Sequence, residues 1–154
     1  VTFDKVRVPG AERRGGEGVR LESLVDASRV AIAALAVGVS RAAFDYARDY
    51  AKERRAFGVA IGQKQAIAFK LADMAIEIDS MRLLTWEAAW KLDRGEPATR
   101  EACLAKQYAV NSSLAVTDNA VQILGGHGYI RDHAVELFLR NARGFAAIEG
   151  VAIV

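Results

Sequence analysis

The stretch that decides the fold runs over residues 22–55, ESLVDASRVAIAALAVGVSRAAFDYARDYAKERR. Leu24, Ala27, Ala31, Leu35, Gly38, Ala42, Tyr46 and Tyr50 recur in it at three- and four-residue intervals, the spacing of one helix face. This predicts a long helix from Glu22 to about Arg55. Its alanines favour helix and let a neighbouring helix come close, whereas Phe44 and Tyr50 are large enough to anchor the packing. Phe57 and Gly58 punctuate its end, glycine being suited to the left-handed residue after a helix.

Downstream, a second helical run goes from about Gln63 to Asp93, with Ile67, Leu71, Met74, Ile78, Met81 and Thr85 on one broad face. Trp86 and Trp90 form an i,i+4 pair, read as packing rather than as a ligand platform because large aromatics mostly contribute buried area. Gly95 and Pro97 then break the chain. A third run extends from Pro97, which a first helical turn tolerates, to about Leu124 through Leu104, Tyr108, Val110, Leu114, Val121 and Ile123. Gly125, Gly126 and Gly128 stop it, and a shorter segment from about Asp132 to Arg143 carries Val135, Leu137, Phe138 and Leu139. Upstream, residues 1–8 (VTFDKVRV) alternate bulky and polar side chains like a strand, ended by Pro9 and Gly10 and a loop with Gly15, Gly16 and Gly18. The expected fold is all-α, an up-down four-helix bundle with a short strand-like amino-terminal leader. Three runs of roughly 28 to 34 residues would be about 40 to 50 Å long, and short connections make neighbours antiparallel.

Composition narrows the class. A length of 154 residues suits one domain with a substantial core, and 52% apolar content with two prolines argues against disorder. The apolar stretches are broken by charged residues before reaching the roughly 20 residues of a membrane span, so a soluble chain is expected. The 21 basic and 19 acidic residues are interspersed, with no basic arm of the kind that binds nucleic acid. Cys103 cannot form an internal disulfide and is expected to be a small buried thiol. The chain has no secretory leader pattern and does not begin with Met, and reads as a fragment.

Common catalytic motifs are missing: no HExxH, no paired CxxC and no phosphate-binding Walker loop. His127 and His133 stand alone in glycine-rich or charged surroundings, so no metal site is expected. Gly125-Gly126-His127-Gly128 comes after a helix rather than a strand, and by itself is a helix stop and tight turn, not a dinucleotide loop.

Four stretches nevertheless stand together in a telling order. They are Phe3-Asp4-Lys5-Val6-Arg7-Val8-Pro9, then Tyr50-Ala51-Lys52-Glu53-Arg54-Arg55-Ala56-Phe57-Gly58, then Gln65-Ala66-Ile67-Ala68-Phe69-Lys70-Leu71-Ala72-Asp73-Met74, then Ala120-Val121-Gln122-Ile123-Leu124-Gly125-Gly126-His127-Gly128-Tyr129. With Arg140, Arg143 and Glu149-Gly150 behind them, they make the chain resemble the acyl-CoA dehydrogenase family over nearly its whole length. The resemblance implies that residues 1–21 are the end of a middle β-domain plus linker, and that residues 22–154 are the carboxy-terminal helical bundle, stopping before its last helix. It implies FAD held between subunits. Arg54 would approach the diphosphate, a task that suits the planar, always-charged guanidinium; read without the resemblance, it is sooner a solvated helix-end cation. Phe57 would pack near the flavin or its ribityl chain. Gln65 and Gln122 would hydrogen-bond around the cofactor, with Gly125 and Gly126 admitting it close to the backbone.

Glu149, in Ala147-Ile148-Glu149-Gly150, resembles the family's catalytic base. It would take the α-proton of an acyl-CoA while flavin N5 accepts hydride from the β-carbon, giving a trans-enoyl thioester, as in fatty acid β-oxidation. The backbone N–H of Glu149 would help hold the thioester oxygen. A free Glu has a pKa near 4.3, which an apolar pocket raises toward the working pH, and Ala146, Ala147 and Ile148 suit such a pocket. Some relatives carry the base on the first long helix, where Ser28 stands here and cannot serve. Arg29, next to it, would support the active-site loop or else is a surface arginine. The sequence departs from the family at Val151 (usually Thr), Asn141 (commonly Asp) and Ala134 (frequently Pro).

The implied partners are an acyl-CoA substrate, an electron-transferring flavoprotein as acceptor and further copies of the chain, as a dimer or tetramer. The location is cytoplasmic in a bacterium and the mitochondrial matrix in a eukaryote. Two other readings keep the same fold: a non-catalytic assembly subunit or helical interaction module, and an acyl-CoA oxidase-like flavoenzyme that lets oxygen reoxidise FAD.

Overall fold

In the computed structural model, which describes residues 2, 4–12 and 21–148, four helices carry the chain: α1 (Leu21–Glu53), α2 (Gln65–Asp93), α3 (Thr99–Leu124) and α4 (Val135–Ala147). They form the expected all-α bundle. α3 lies at its centre, packed against α1, α2 and α4, and α1 also packs against α2 and α4. Glu149, Gly150 and Val151 lie outside the described residues, as does Phe3 of the leader. The remaining leader residues form no strand: 2 and 4–9 are irregular, with Val6 and Val8 exposed. An alternating segment needs a neighbouring strand to satisfy its backbone, and among the described residues none lies beside it.

The core follows the expected face on α2 but only in part on α3, where Leu104 and Tyr108 are exposed, Leu114 and Val121 half-buried, and small residues make the close contacts. Met74, Ile78, Met81 and Thr85 of α2 are buried, as expected for that face, and Ala105, Ala109, Val116, Ala120 and Ile123 of α3 meet them. Each large aliphatic side chain taken out of water there contributes about 1.5–3 kcal/mol. Polar links also cross between the two helices: Ser112 Oγ donates to Glu77 Oε2 at 2.5 Å, and Lys70 Nζ to Asn119 Oδ1 at 2.9 Å.

Helix α1 corrects the expectation about its face. Leu24 and Leu35 are 65% and 59% exposed, and Ala27, Ala31, Gly38, Ala42 and Tyr46 are also exposed. The buried side is Val30, Ala33, Ala36, Ser40, Ala43, Ala47 and Ala51, roughly half a helical turn away. The helix is apolar almost all round, so three- and four-residue spacing can be traced along both sides. Close approach to α3 selects the side with the smallest residues. By length and composition alone α1 could cross a membrane, but Arg29 and Arg41 break its apolar run and its inner side is buried along the other three helices.

Two further expectations fail. Trp86 and Trp90 are not core: they are 62% and 55% exposed, because Met74, Ile78, Met81, Thr85 and Ala88 already fill the inner side of α2. With Phe69, Ile76 and Leu83 they form an exposed apolar stripe, and the Arg94 guanidinium lies 4.8 Å over the Trp90 ring. Cys103 is exposed, on the outer side of α3 beside the buried Ala102.

Candidate functional site

One end of the bundle is shaped by a hairpin just beyond α1. Two short antiparallel strands, β1 (Arg55–Ala56) and β2 (Val59–Ala60), turn through Phe57 and Gly58, both with positive φ, as the tightest hairpin turns require. Ile61 N–H donates to the Arg54 carbonyl at 2.8 Å, so the returning chain pins Arg54 where α1 ends. Phe57 stands at the hairpin tip, 94% exposed, with Lys64 Nζ 5.7 Å from its ring centre.

Where α3 stops, Gly125 has φ 59° and the chain enters a tight 3-10 turn, Gly125–Tyr129. A Cβ on Gly128 would lie 2.5 Å from the Val121 carbonyl oxygen and 3.0 Å from its Cα, so this glycine is demanded by packing against α3. Gly126 differs: a Cβ there would meet nothing within 4 Å. The fold has no need of glycine at that position.

These two chain ends enclose a pocket of about 550 Å³ lined by Tyr50, Arg54, Gly125, Gly126 and His127, with apolar walls that include Ile61 and Ile130. Among the described residues no hydrogen bond or ion pair engages the Arg54 guanidinium, and no acidic side chain lines the pocket. His127 is fixed by a 2.6 Å hydrogen bond between its Nδ1 and the Tyr50 hydroxyl. His133 is bonded in the same way to Tyr46 at 2.8 Å, and the two imidazole centres are 5.4 Å apart. The histidines are therefore not isolated, although their sequence surroundings suggested it. Among the described residues no three metal-binding side chains come together.

Of the predicted cofactor residues, Arg54, Gly125 and Gly126 meet in this pocket; Phe57, Gln65 and Gln122 do not line it and are exposed on the hairpin tip, the start of α2 and the last turn of α3. Sequence reasoning missed Tyr50 and His127 as pocket residues. Tyr50 had a usable signal, lying one helical turn before Arg54.

The other end of the bundle holds Arg29. Its Nη1 donates to Asp26 Oδ1 at 3.0 Å, and Thr99 Oγ1 donates to Asp26 Oδ2 at 2.6 Å, so a buried carboxylate ties the start of α1 to the start of α3. Nearby, Lys91 Nζ lies 2.7 Å from Glu101 Oε1, and that hydrogen bond holds the Glu101 carboxyl below its usual range. Ile32, three residues beyond Arg29, packs with Val110 and Ala146, and the buried Lys106 donates to the Ile148 carbonyl. The chain thus leaves α4 against α1 and α3, one residue before Glu149.

Comparison with known proteins matches residues 16–152 to the family described as acyl-CoA dehydrogenase, C-terminal domain. This chain belongs to the acyl-CoA dehydrogenase family. The domain is 42% identical to a probable acyl-CoA dehydrogenase of Bacillus subtilis over 155 residues, covering 99% of this chain and 41% of that protein. It is 41% identical to the mitochondrial short-chain specific acyl-CoA dehydrogenase of Bos taurus, covering 97% of this chain and 37% of the relative. The butyryl-CoA dehydrogenase structure from Megasphaera elsdenii superposes with a TM-score of 0.83 at 38% identity, covering 88% of this chain and 36% of that one. The domain therefore spans about two fifths of the length of these relatives.

Proposed function

We propose that this domain is the carboxy-terminal part, residues 22–154, of an FAD-dependent acyl-CoA dehydrogenase that converts an acyl-CoA thioester to trans-2-enoyl-CoA, with residues 1–21 ending a preceding β-domain. The observation that carries the reading is the pocket at the end of α1: a guanidinium without a partner among the described residues, a glycine the fold does not need, and no acid in the lining. That donor set fits an anionic diphosphate. Arg54 would pair with two phosphate oxygens, and Gly125 and Gly126 would let the backbone approach. Phe57, Gln65 and Gln122, exposed around it, would contact other parts of the same cofactor. When bound, FAD supplies the hydride acceptor.

The chain's own chemistry is proton removal. Glu149 takes the α-proton onto its carboxylate as the β-hydrogen leaves as hydride, and its backbone N–H donates to the thioester oxygen as negative charge grows there. Arg29, held by Asp26 at the same end of the bundle, steadies the segment that carries the base. An electron-transferring flavoprotein takes the electrons onward. The apolar stripe Phe69, Ile76, Leu83, Trp86 and Trp90 supports a homo-oligomer in which FAD lies between subunits, since an exposed apolar patch of this kind marks an association surface. Similarity to a bacterial and a mitochondrial relative supports a role in acyl-CoA oxidation in the bacterial cytoplasm or the mitochondrial matrix.

The test is Glu149→Gln in the full-length protein. FAD and acyl-CoA binding should persist while anaerobic bleaching of the flavin by substrate slows by about 10²–10⁴-fold, the range for losing a general base. Normal bleaching would remove Glu149 from the role. A wild-type protein that binds both ligands and never bleaches would instead be the assembly subunit.

A further inference from the structure

Tyr46 and Tyr50 stand one helical turn apart on α1, and Arg54 follows a turn later, where its backbone N–H still donates to the Tyr50 carbonyl at 2.8 Å. Spaced by four residues, the three side chains share one face. The chain beyond α3 meets the first two with imidazoles: the Tyr46 hydroxyl is bonded to His133 Nδ1 at 2.8 Å, and the Tyr50 hydroxyl to His127 Nδ1 at 2.6 Å. Each histidine ring also stands edge-on to its tyrosine, with interplanar angles of 83° and 73°. Arg54 is the third rung of this ladder, and it meets the pocket where the other two meet a histidine.

His127 has one ring nitrogen to spare. Its Nδ1 is taken by Tyr50, and among the described residues nothing bonds Nε2, although the ring is half-buried and lines the pocket with Arg54, Gly125 and Gly126. When a hydroxyl donates to Nδ1, a neutral imidazole carries its proton on Nε2, and a protonated one presents the same N–H with a charge behind it. Both forms suit an anion. A diphosphate has two phosphate groups to satisfy, and the pocket holds two side-chain donors on neighbouring rungs, the Arg54 guanidinium and the His127 imidazole.

We infer that His127 is a second phosphate-binding residue: its Nε2–H donates to the cofactor diphosphate beside Arg54, and Tyr50 is the positioning residue that fixes the ring and its tautomer. The inference rests on the reading of this pocket as a diphosphate site. The His133 ring, with its centre 5.4 Å from that of His127 and 5.8 Å from that of Tyr50, packs against both and keeps the pair in place.

The experiment titrates the full-length, FAD-free protein with FAD, followed by flavin fluorescence, and with inorganic pyrophosphate as competitor. His127→Leu should raise the FAD dissociation constant about tenfold, as expected for one lost hydrogen bond to a charged group, and should weaken competition by pyrophosphate. His127→Gln, whose amide nitrogen reaches the place of Nε2, should stay within about threefold of wild type. Tyr50→Phe should weaken FAD binding by a smaller factor, and should add nothing once His127→Leu is present. Leu and Gln variants that bind FAD alike, whether both tightly or both weakly, overturn the inference. So does a Tyr50→Phe effect that persists in the His127→Leu background. If His127→Leu fails to fold with the Tyr50 hydroxyl unpaired, Leu and Gln at position 127 are compared in a Tyr50→Phe background, and equal affinity there is equally fatal. Arg54→Ala measured alongside separates the two claims. Unchanged FAD affinity there sinks the diphosphate reading of the pocket, whereas weakened affinity there beside a normal His127→Leu sinks the role of His127 alone.

Discussion

The two ends of the bundle use the same kinds of side chain for opposite purposes. Where α1 begins, the charged groups are consumed by their own chain: Asp26 by Arg29 and Thr99, Glu101 by Lys91, and the Ile148 carbonyl by Lys106. Where α1 ends, Arg54 stands at the rim of a pocket with no partner among the described residues. A partnered charge fixes helices to one another and stabilises the chain by itself. An unpartnered guanidinium beside a cavity contributes nothing to the fold, and gains free energy only when an anion arrives. The contrast separates groups that build the domain from groups that await a ligand.

The largest expected effect at the open end is on cofactor affinity. Arg54→Ala in the full-length protein should raise the FAD dissociation constant about ten- to a hundredfold, the worth of a lost charge-assisted hydrogen bond or pair of them, with no change in thermal midpoint of the FAD-free protein. Fluorescence titration of the apoprotein with FAD measures it. If affinity holds and stability falls, Arg54 belongs with the structural charges and the contrast between the two ends collapses.

The glycines sharpen the same contrast within a single turn. Gly128→Ala forces a methyl group onto the Val121 backbone, which cannot swing aside as a side chain could, and should cost about 1–3 kcal/mol of stability by chemical denaturation. Gly126→Ala meets open space and should leave stability unchanged while weakening FAD retention. Equal destabilisation by both would show that the turn, and not a ligand, is what requires glycine at 126.

Helix number, order and approximate ends were legible in the sequence because long uninterrupted runs between glycine and proline breaks permit little else. The buried side of α1 was not: larger residues such as Leu24 and Leu35 point to one side, whereas the interface with α3 is made by Ala33, Ala36, Ala43 and Ala47 on the other. Trp86 and Trp90 misled for a related reason, since residue size argues for burial only while the core has room. At the open end Arg54, Gly125 and Gly126 were legible through the family resemblance. The Tyr50–His127 pair spans 77 residues of sequence and becomes visible only when α1 and the turn after α3 meet. Lys106 gave no signal at all, because a lysine within a helix has the look of a solvated face until its burial is known.

The smallest predicted effect lies at the closed end and depends on pH. The hydrogen bond from Lys91, together with the smaller contribution of Glu101's own backbone hydrogen bond, holds the Glu101 carboxyl below the ordinary value of 4.5. A carboxyl lowered in the folded state contributes stability that is present above its unfolded value and disappears as pH falls through the folded one. Wild type and Lys91→Met should therefore differ in thermal midpoint near neutral pH, with the gap closing as the pH is lowered from about 5 into the acid range. Arg54→Ala should show no such pH-dependent gap, because among the described residues no carboxylate pairs with Arg54. A gap that persists undiminished in acid would mean that Lys91 acts through the packing of its stem, and that this charge pair does not fasten α2 to α3 electrostatically.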